Sequence, residues 1–502
     1  MSRYVQKYLI LILASLFYYF TLAPTIIAGD GPALSMRAHS FALHFGRASD
    51  HPLHTIIGKM FSLLPFELAF SLNLMSAFFG ALTILLIFLI IKHLTESDSA
   101  AWFGSLSLMV SHAFWLHSVI AEVYTLNAFF LALLVYLTLT KLKSRLFKYF
   151  FPLIFVLGLL NHLILVLSLP AFWVYIMMNV GKRERKSILN ITATVLSAVI
   201  AILSWLAIFR SGILLSFIKG PPSILIYLLP PSDFHLLIKE FGLYVLYLCY
   251  QYPLLGVIVG GIGIFTRFKQ DRSTAVFLML IIVLNGLFFL KTTAWKSYGG
   301  TKYTFYISDY TIFAVFLGCG FQSLFNQIKI LLKKLNLKIQ RERIQHILPA
   351  GIIAASIVLT IAFYSFMPKI VSILNIDLVH ARTLPYRDNN RFFLNPNKRG
   401  YNGDRKLGQE ILQLADRNSV VFADFTPYTI LKYLITIENL RPDVKLIFCN
   451  EKTDMQIRLD EIKDEKPNTH IYLADNDYCN LNGIEEKYFL KRYGPFFEIV
   501  TK

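Results

Sequence analysis

Between Asp30 and His54 the chain carries Asp30, Arg37, His39, His44, Arg47, Asp50, His51 and His54, directly after an apolar run that ends at Gly29. A carboxylate in such company can take a proton from a hydroxyl, and neighbouring cations can hold a departing anion. The histidines include (i, i+3) and (i, i+5) spacings, which also invites a metal reading. Histidines scattered through a loop are more often solvated or structural, and no Cys/His spacing follows a zinc pattern. Neither a metal nor a cofactor is expected.

Further ionisable or polar groups stand out against apolar surroundings. Glu122 and Tyr124 lie in "FWLHSVIAEVYTLN", Asn161 and His162 divide a long apolar stretch, and Lys302 and Asp309 frame "KYTFYIS". Each has a local explanation. Asp30 can cap a turn in "GDGP", Glu122 can face the positive end of its helix, and His162 can bond a loop carbonyl. Their shared side of the membrane is what argues for a site, and that follows from the elements carrying them.

The chain of 502 residues is 55% hydrophobic and 16% charged, with mean hydropathy +0.55. Soluble domains carry about 25% charged residues, so this is the composition of a polytopic membrane protein. The net charge of +18 does not point to nucleic acid, because lysine and arginine concentrate in short segments between apolar runs. About eleven spanning segments are predicted, near 8–27, 69–91, 100–117, 119–140, 148–160, 163–179, 188–209, 241–265, 274–291, 309–325 and 347–367. The first is too long for a signal-peptide core and is read as a retained helix.

With the amino terminus in the cytoplasm, "TKLKSRLFK", "GKRERKS", "TRFKQDRS" and "NQIKILLKKLNLKIQRERIQ" all fall inside. The loops 28–68, 210–240 and 292–308 then fall outside, with everything after 368. Asp30, Glu122, Asn161, His162 and Asp309 all come near the outer surface. Ionisable groups at membrane depth are costly and tend to line a cavity or pathway, so this convergence favours a site. The glycines of "GVIVGGIGIF" are read as helix-packing residues, since no strand precedes them as in a phosphate loop.

After Pro368 the composition becomes that of a soluble domain. Residues 368–399 read as a polar linker, and 400–502 as a small α/β domain. In it "SVVFADF", "DVKLIFC" and "HIYLAD" are strands, and "PYTILKYLITIENL" and "KTDMQIRLDEIKDE" the helices between them. Cys449 and Cys479 follow two of these strands, where an oxidising compartment permits a bridge. Cys249 and Cys319 read as buried apolar residues of spanning segments.

"TLAPTIIAGD", "HPLHTIIGKMFSLLPF", "FWLHSVIAEVYTLNAFFLALL" and "GLLNHLILVLSLPAF" occur in an order and spacing that resembles a family of GT-C-like membrane proteins. That family, once classed as a domain of unknown function, includes the animal transmembrane protein O-mannosyltransferase. It is more distantly similar to the classical protein O-mannosyltransferases and the aminoarabinose transferases. The likeness is best over 15–175 and returns at "VVFADFTPYTILKYLITIENLRPDV". It implies a GT-C fold over 1–367 with catalysis in the first outer loop. It also implies a polyprenyl-phosphate-linked sugar as donor, mannose foremost, and a hydroxyl acceptor such as protein Ser/Thr.

Asp30 matches the family's acid after helix 1, Glu122 and Tyr124 its "AEVY", and Asn161 and His162 its "NH" pair. Two positions depart: Ala33 stands where the family commonly has a second acid, and Asp50 and His51 lie in "ASDHPLH" where it has "HPPGYP". The resemblance therefore implies Asp30 as base with Asp50 as the alternative acid. His162, Arg37 and Lys302 become candidate phosphate contacts. A transporter or flippase would carry its charges near the bilayer midplane, in interrupted helices. A catalytically inactive receptor or assembly subunit is the other competing reading, kept open by Ala33.

Overall fold

A computed structural model describes residues 3–43, 50–181, 185–186, 234–291, 302–334, 347–376 and 381–502. The segment expected at 188–209 lies outside the described residues, as does most of the 210–240 loop. Among the described residues five helices are long and apolar enough to cross a bilayer, or six if one bent pair counts as a single span. The architecture is that of an integral membrane protein with a small sheet domain.

Helix α1 (Arg3–Thr21) ends before Pro24, earlier than the expected 27, because proline restricts its predecessor and lacks a donor. The released chain is held by Asn73, whose side-chain amide donates to the carbonyls of Ala23 (2.9 Å) and Thr25 (3.2 Å). The loop 28–68 is itself folded, with α2 (Gly31–Ser40) and α3 (Pro52–Phe61). Then follow α4 (Leu68–Thr95), α5 (Asp98–Met109), α6 (His112–Ser118), α7 (Tyr124–Lys141) and α8 (Arg145–Asn161). A 3-10 turn (Leu163–Ser168) leads into α9 (Leu169–Asn179), so the division read at Asn161 and His162 is present. The span expected at 100–117 is broken instead into α5 and α6.

The span expected at 241–265 is not continuous either. Helices α10 (Phe234–Gln251) and α11 (Gly256–Gln270) meet at 102° around Pro253, with Leu254 in the left-handed region. Proline there removes a helical hydrogen bond and clashes with the preceding turn. Cys249, expected to be buried, lies on an exposed face of α10, whereas Cys319 is buried. Next come α12 (Arg272–Lys291), a 3-10 turn (Lys302–Tyr306), α13 (Ile307–Lys334) and α14 (Leu348–Ile373). Helices α11 and α13 cross so closely that a Cβ on Gly263 would lie 1.8 Å from the Phe316 carbonyl oxygen, and one on Gly320 1.8 Å from that of Val259. That is the packing role read for the glycines of 256–265.

Beyond α14 come the short α15 (Asn389–Leu394), α16 (Gly403–Leu414), β1 (Val420–Ala423), α17 (Phe425–Thr436), β2 (Lys445–Phe448), α18 (Met455–Glu465) and β3 (Ile471–Leu473). The three strands are parallel in the order β2-β1-β3, as the sequence pattern requires. Two further strands, β4 (Tyr488–Tyr493) and β5 (Phe496–Thr501), extend the sheet antiparallel as a hairpin that the sequence reading missed. Its signal was the Gly494-Pro495 turn between alternating runs, with Gly494 at positive φ. Cys449 and Cys479 are disulfide-bonded.

The domain is fastened to the membrane part at the end where Asp30 lies. Asp404 accepts from the Ala28 amide (2.7 Å), the Ala69 amide donates to the Tyr433 hydroxyl (3.1 Å), and Arg405 bridges Glu67 (2.9 Å) and Glu438 (2.6 Å). Ile26 and Ala69 share a hydrophobic cluster with Leu407, Ile411 and Leu434. At the carboxyl ends of β1 and β3, Asp424 and Asp475 hold Arg382 from the preceding segment. One Arg382 nitrogen is 2.9 Å from Asp424 and another 3.2 Å from Asp475, and the guanidinium lies 4.9 Å from the Tyr478 ring. This crevice is where parallel α/β sheets take ligands, and here the chain's own arginine fills it. Arg382→Ala leaves two buried carboxylates short of a cation and is expected to cost roughly 1.5–3 kcal/mol. Limited proteolysis of the 374–403 segment should then become faster, with Arg382→Lys giving an intermediate rate.

Candidate active site

Asp30 occupies the position before the first turn of α2, yet its side chain makes no capping hydrogen bond. The cap reading of "GDGP" therefore does not account for it. Gly31 brings this turn against the chain before α7: a Cβ there would lie 3.2 Å from the Ala121 carbonyl oxygen. The Ser76 hydroxyl bonds both the amide (3.2 Å) and the carbonyl (3.3 Å) of Glu122, which fixes that chain in turn. Two carboxylates, Asp30 and Glu122, thus come within electrostatic range of each other.

Desolvation by the surrounding protein raises the Asp30 carboxyl above the ordinary carboxylate value, while His51 and Arg37 pull it back. Glu122 is raised much further, by burial and then by the charge of Asp30. Burial thus raises both carboxyls, and Glu122 holds its proton more firmly than Asp30. Burial lowers His51, partly offset by its bond to Asn161 and by Asp30, so its imidazole is neutral at pH 7. His51 Nδ1 lies 2.5 Å from the Asn161 carbonyl oxygen, which can only accept. Nδ1 therefore carries the proton, and Nε2 is the basic nitrogen.

His51 packs against His162, with ring centroids 5.0 Å apart, and Tyr124 continues the group at 5.8 Å from His162. Asn161 donates its side-chain amide to the Val123 carbonyl (3.2 Å), which ties α8 to the start of α7. His162 Nδ1 accepts the Ile164 amide (3.2 Å), so the imidazole caps the 3-10 turn instead of bonding a carbonyl. Asp50 adds its charge to that acting on His51. The structure thus gathers Asp30, Arg37, Asp50, His51, Glu122, Tyr124, Asn161 and His162. His44 and Arg47 lie outside the described residues.

Lys302 and Asp309 belong to an adjoining group. Lys302 forms a buried ion pair with Glu240 of α10, a partner that sequence reading missed because Glu240 lay at the edge of a presumed loop. Asp309, in the first turn of α13, is fully enclosed by protein and accepts from the Asn285 amide (2.8 Å). The 3-10 turn carrying Lys302 also reaches the first group, since the Phe305 ring lies 6.2 Å from Tyr124. Two further histidines belong to this region: His54, already singled out in the sequence, and His117, which was not. His54 is fully buried in α3, and His117 sits 4.9 Å from the Tyr124 ring; neither ring has a hydrogen bond among the described residues.

Residues 37–187 match the family model described as the N-terminal domain of protein O-mannosyl-transferase TMEM260. The chain is 25% identical over 337 residues to protein O-mannosyl-transferase tmem260 of Dictyostelium discoideum, covering 60% of this chain and 39% of that one. It is 29% identical over 123 residues to protein O-mannosyl-transferase TMEM260 of Mus musculus, covering 24% of this chain and 17% of that one. The matched stretch thus spans about two fifths or less of these relatives' length. Among solved structures, ArnT of Cupriavidus metallidurans bound to undecaprenyl phosphate superposes with TM-score 0.61 at 11% identity, covering 98% of this chain and 97% of that one. The apo form of the same protein gives a TM-score of 0.58. The resemblance read from the sequence is borne out: residues 37–187 are similar to the N-terminal domain of TMEM260-type protein O-mannosyl-transferases, and the chain has the GT-C membrane fold.

Proposed function

We propose that the protein moves a single sugar, mannose foremost, from a polyprenyl phosphate to a hydroxyl, that of protein Ser or Thr, at the outer membrane face. The observation that carries this is the Asp30 carboxylate, uncapped and beside a protonatable Glu122, at the start of α2 in the loop that follows the first apolar helix. The GT-C fold and the names of the matched relatives support the same reaction class. Asp30 takes the proton as the acceptor oxygen attacks the anomeric carbon. The bond from that carbon to the phosphate oxygen breaks, and the electron pair leaves with the polyprenyl phosphate. One displacement with one base inverts the sugar, and no covalent enzyme intermediate forms. Arg37, His162 and Lys302 are assigned to the phosphate, with its isoprenoid in the bilayer.

The test uses purified protein in detergent with an acceptor peptide, supplied with polyprenyl-phosphate mannose or with nucleotide mannose. Transfer from the lipid donor alone is expected; transfer from the nucleotide sugar alone would overturn the assignment. The basic-loop pattern further supports an orientation with the amino terminus inside and the α/β domain outside. Cysteines introduced on exposed positions after residue 400 should react with an impermeant reagent in intact cells. Reaction only after permeabilisation would reverse that orientation.

A further inference from the structure

The segment between α14 and α16 forms a cleft of about 220 Å³, with Tyr386, Arg391, Phe392, Lys398, Arg399 and Tyr401 among its walls. We propose that this cleft binds an acidic stretch of the polypeptide acceptor; the inference rests on the glycosyl-transfer reading above. Three cations stand here against Asp388, whose carboxylate is already engaged by the Arg391 amide at the start of α15. Lys398 is 2% exposed and donates to the carbonyls of Phe392 and Asn395, both at 2.6 Å. Burial pushes its ammonium down to about 7, so the permanent charge comes from the two arginines. Arg391 and Arg399 are exposed, and neither has an ion-pair partner among the described residues. Guanidinium forks of this kind match carboxylates in two-point hydrogen bonds.

The cleft floor is fixed. Phe392 and Tyr401 pack with ring centroids 5.1 Å apart, and Tyr401 donates to Asp404 (2.9 Å). The cleft is also placed. The Lys398 amide donates to the Thr21 carbonyl at the end of α1 (3.1 Å), and Tyr250 donates to the Leu394 carbonyl (3.0 Å). Asp404, one residue past Gly403 of the cleft, holds the Ala28 amide two residues before Asp30. The segment that lines the cleft is therefore anchored to the stretch that presents the candidate base. A peptide fits better than a lipid headgroup. None of the lining residues is on a membrane-spanning helix, and Asn397 and Asn402 add amide groups suited to an extended backbone.

Binding is measured on the full chain in nanodiscs of neutral lipid, without sugar donor, so that the result does not depend on turnover. Two fluorescent Ser/Thr peptides are compared, one flanked by Asp and Glu and one by Asn and Gln. The acidic peptide is expected to bind roughly tenfold more tightly, with the advantage fading as salt rises. Arg391→Gln with Arg399→Gln should erase that advantage and leave the neutral peptide and the melting temperature unchanged. Arg391→Lys with Arg399→Lys should retain part of it, which separates lost charge from misfolding. Equal binding of the two peptides by the unaltered protein would overturn the proposal, as would an advantage that survives the double Gln change. So would a double Gln change that affects only binding of phosphatidylglycerol, which would make this a lipid site. A failure of sugar transfer with the peptide preference intact would instead remove the reaction and leave the cleft.

Discussion

Asp30→Asn is expected to lower sugar transfer by about 10²–10⁴-fold while the protein still folds, the range for losing a general base. The substitution keeps the size of the side chain and removes its basicity. The native carboxylate makes no capping hydrogen bond, so little stability is tied to it and the melting temperature should not move. Activity should also follow the ionisation of this group. Its carboxyl is raised by desolvation, so the acid limb of the rate profile should lie above the ordinary carboxylate value near pH 4. The sign is fixed by the role: a base works only when deprotonated, so the rate rises with pH through that value and then levels. In Asp30→Asn the limb should disappear together with the rate. Asp50→Asn, which changes the other acid of the loop, should act mainly through His51 and cost far less. Full turnover by Asp30→Asn with a collapse in Asp50→Asn would transfer the base role to Asp50.

The contrast between these two acids shows what a sequence can carry. The position of Asp30 after an apolar helix is a one-dimensional fact, and so is the placement of Glu122 in "AEVY". Their proximity is not, because it depends on Gly31 meeting Ala121 and on Ser76 gripping Glu122, contacts made across 46 to 90 residues. Apolar runs mark segments well, since burial in lipid needs only length and composition. Breaks within them are set by single residues: Pro24 shortens the first helix, and Pro253 turns one expected span through 102°. The strands β1 and β3 were legible as short buried runs and β2, a half-exposed edge strand, as a short apolar one, while the half-exposed β4–β5 hairpin carried a weaker signal. The docking of the sheet domain onto Ala28 and Ala69 had no signal at all, because the partners lie more than 360 residues apart.

Lys302 gives the second large effect, through a partner that no local pattern announced. Its ammonium and the Glu240 carboxylate are both mostly buried, with side chains 9% and 8% exposed. Two charges at that depth depend on each other, and removing one leaves the other without compensation. Lys302→Met is therefore expected to destabilise the protein by roughly 3–5 kcal/mol, read as a lower melting temperature in detergent. Activity should fall as well, but the single change cannot separate unfolding from a lost phosphate contact. Glu240→Met combined with Lys302→Met removes both charges and replaces the pair with apolar side chains. Such replacements are often neutral or stabilising, so the double variant should recover most of the lost stability. If Lys302 meets the donor phosphate, transfer stays low in the refolded double variant and binding of polyprenyl phosphate is weakened. Recovery of transfer along with stability would mean that the pair only joins α10 to the 3-10 turn before α13. Arg37 and His162 would then be the assigned contacts to the phosphate.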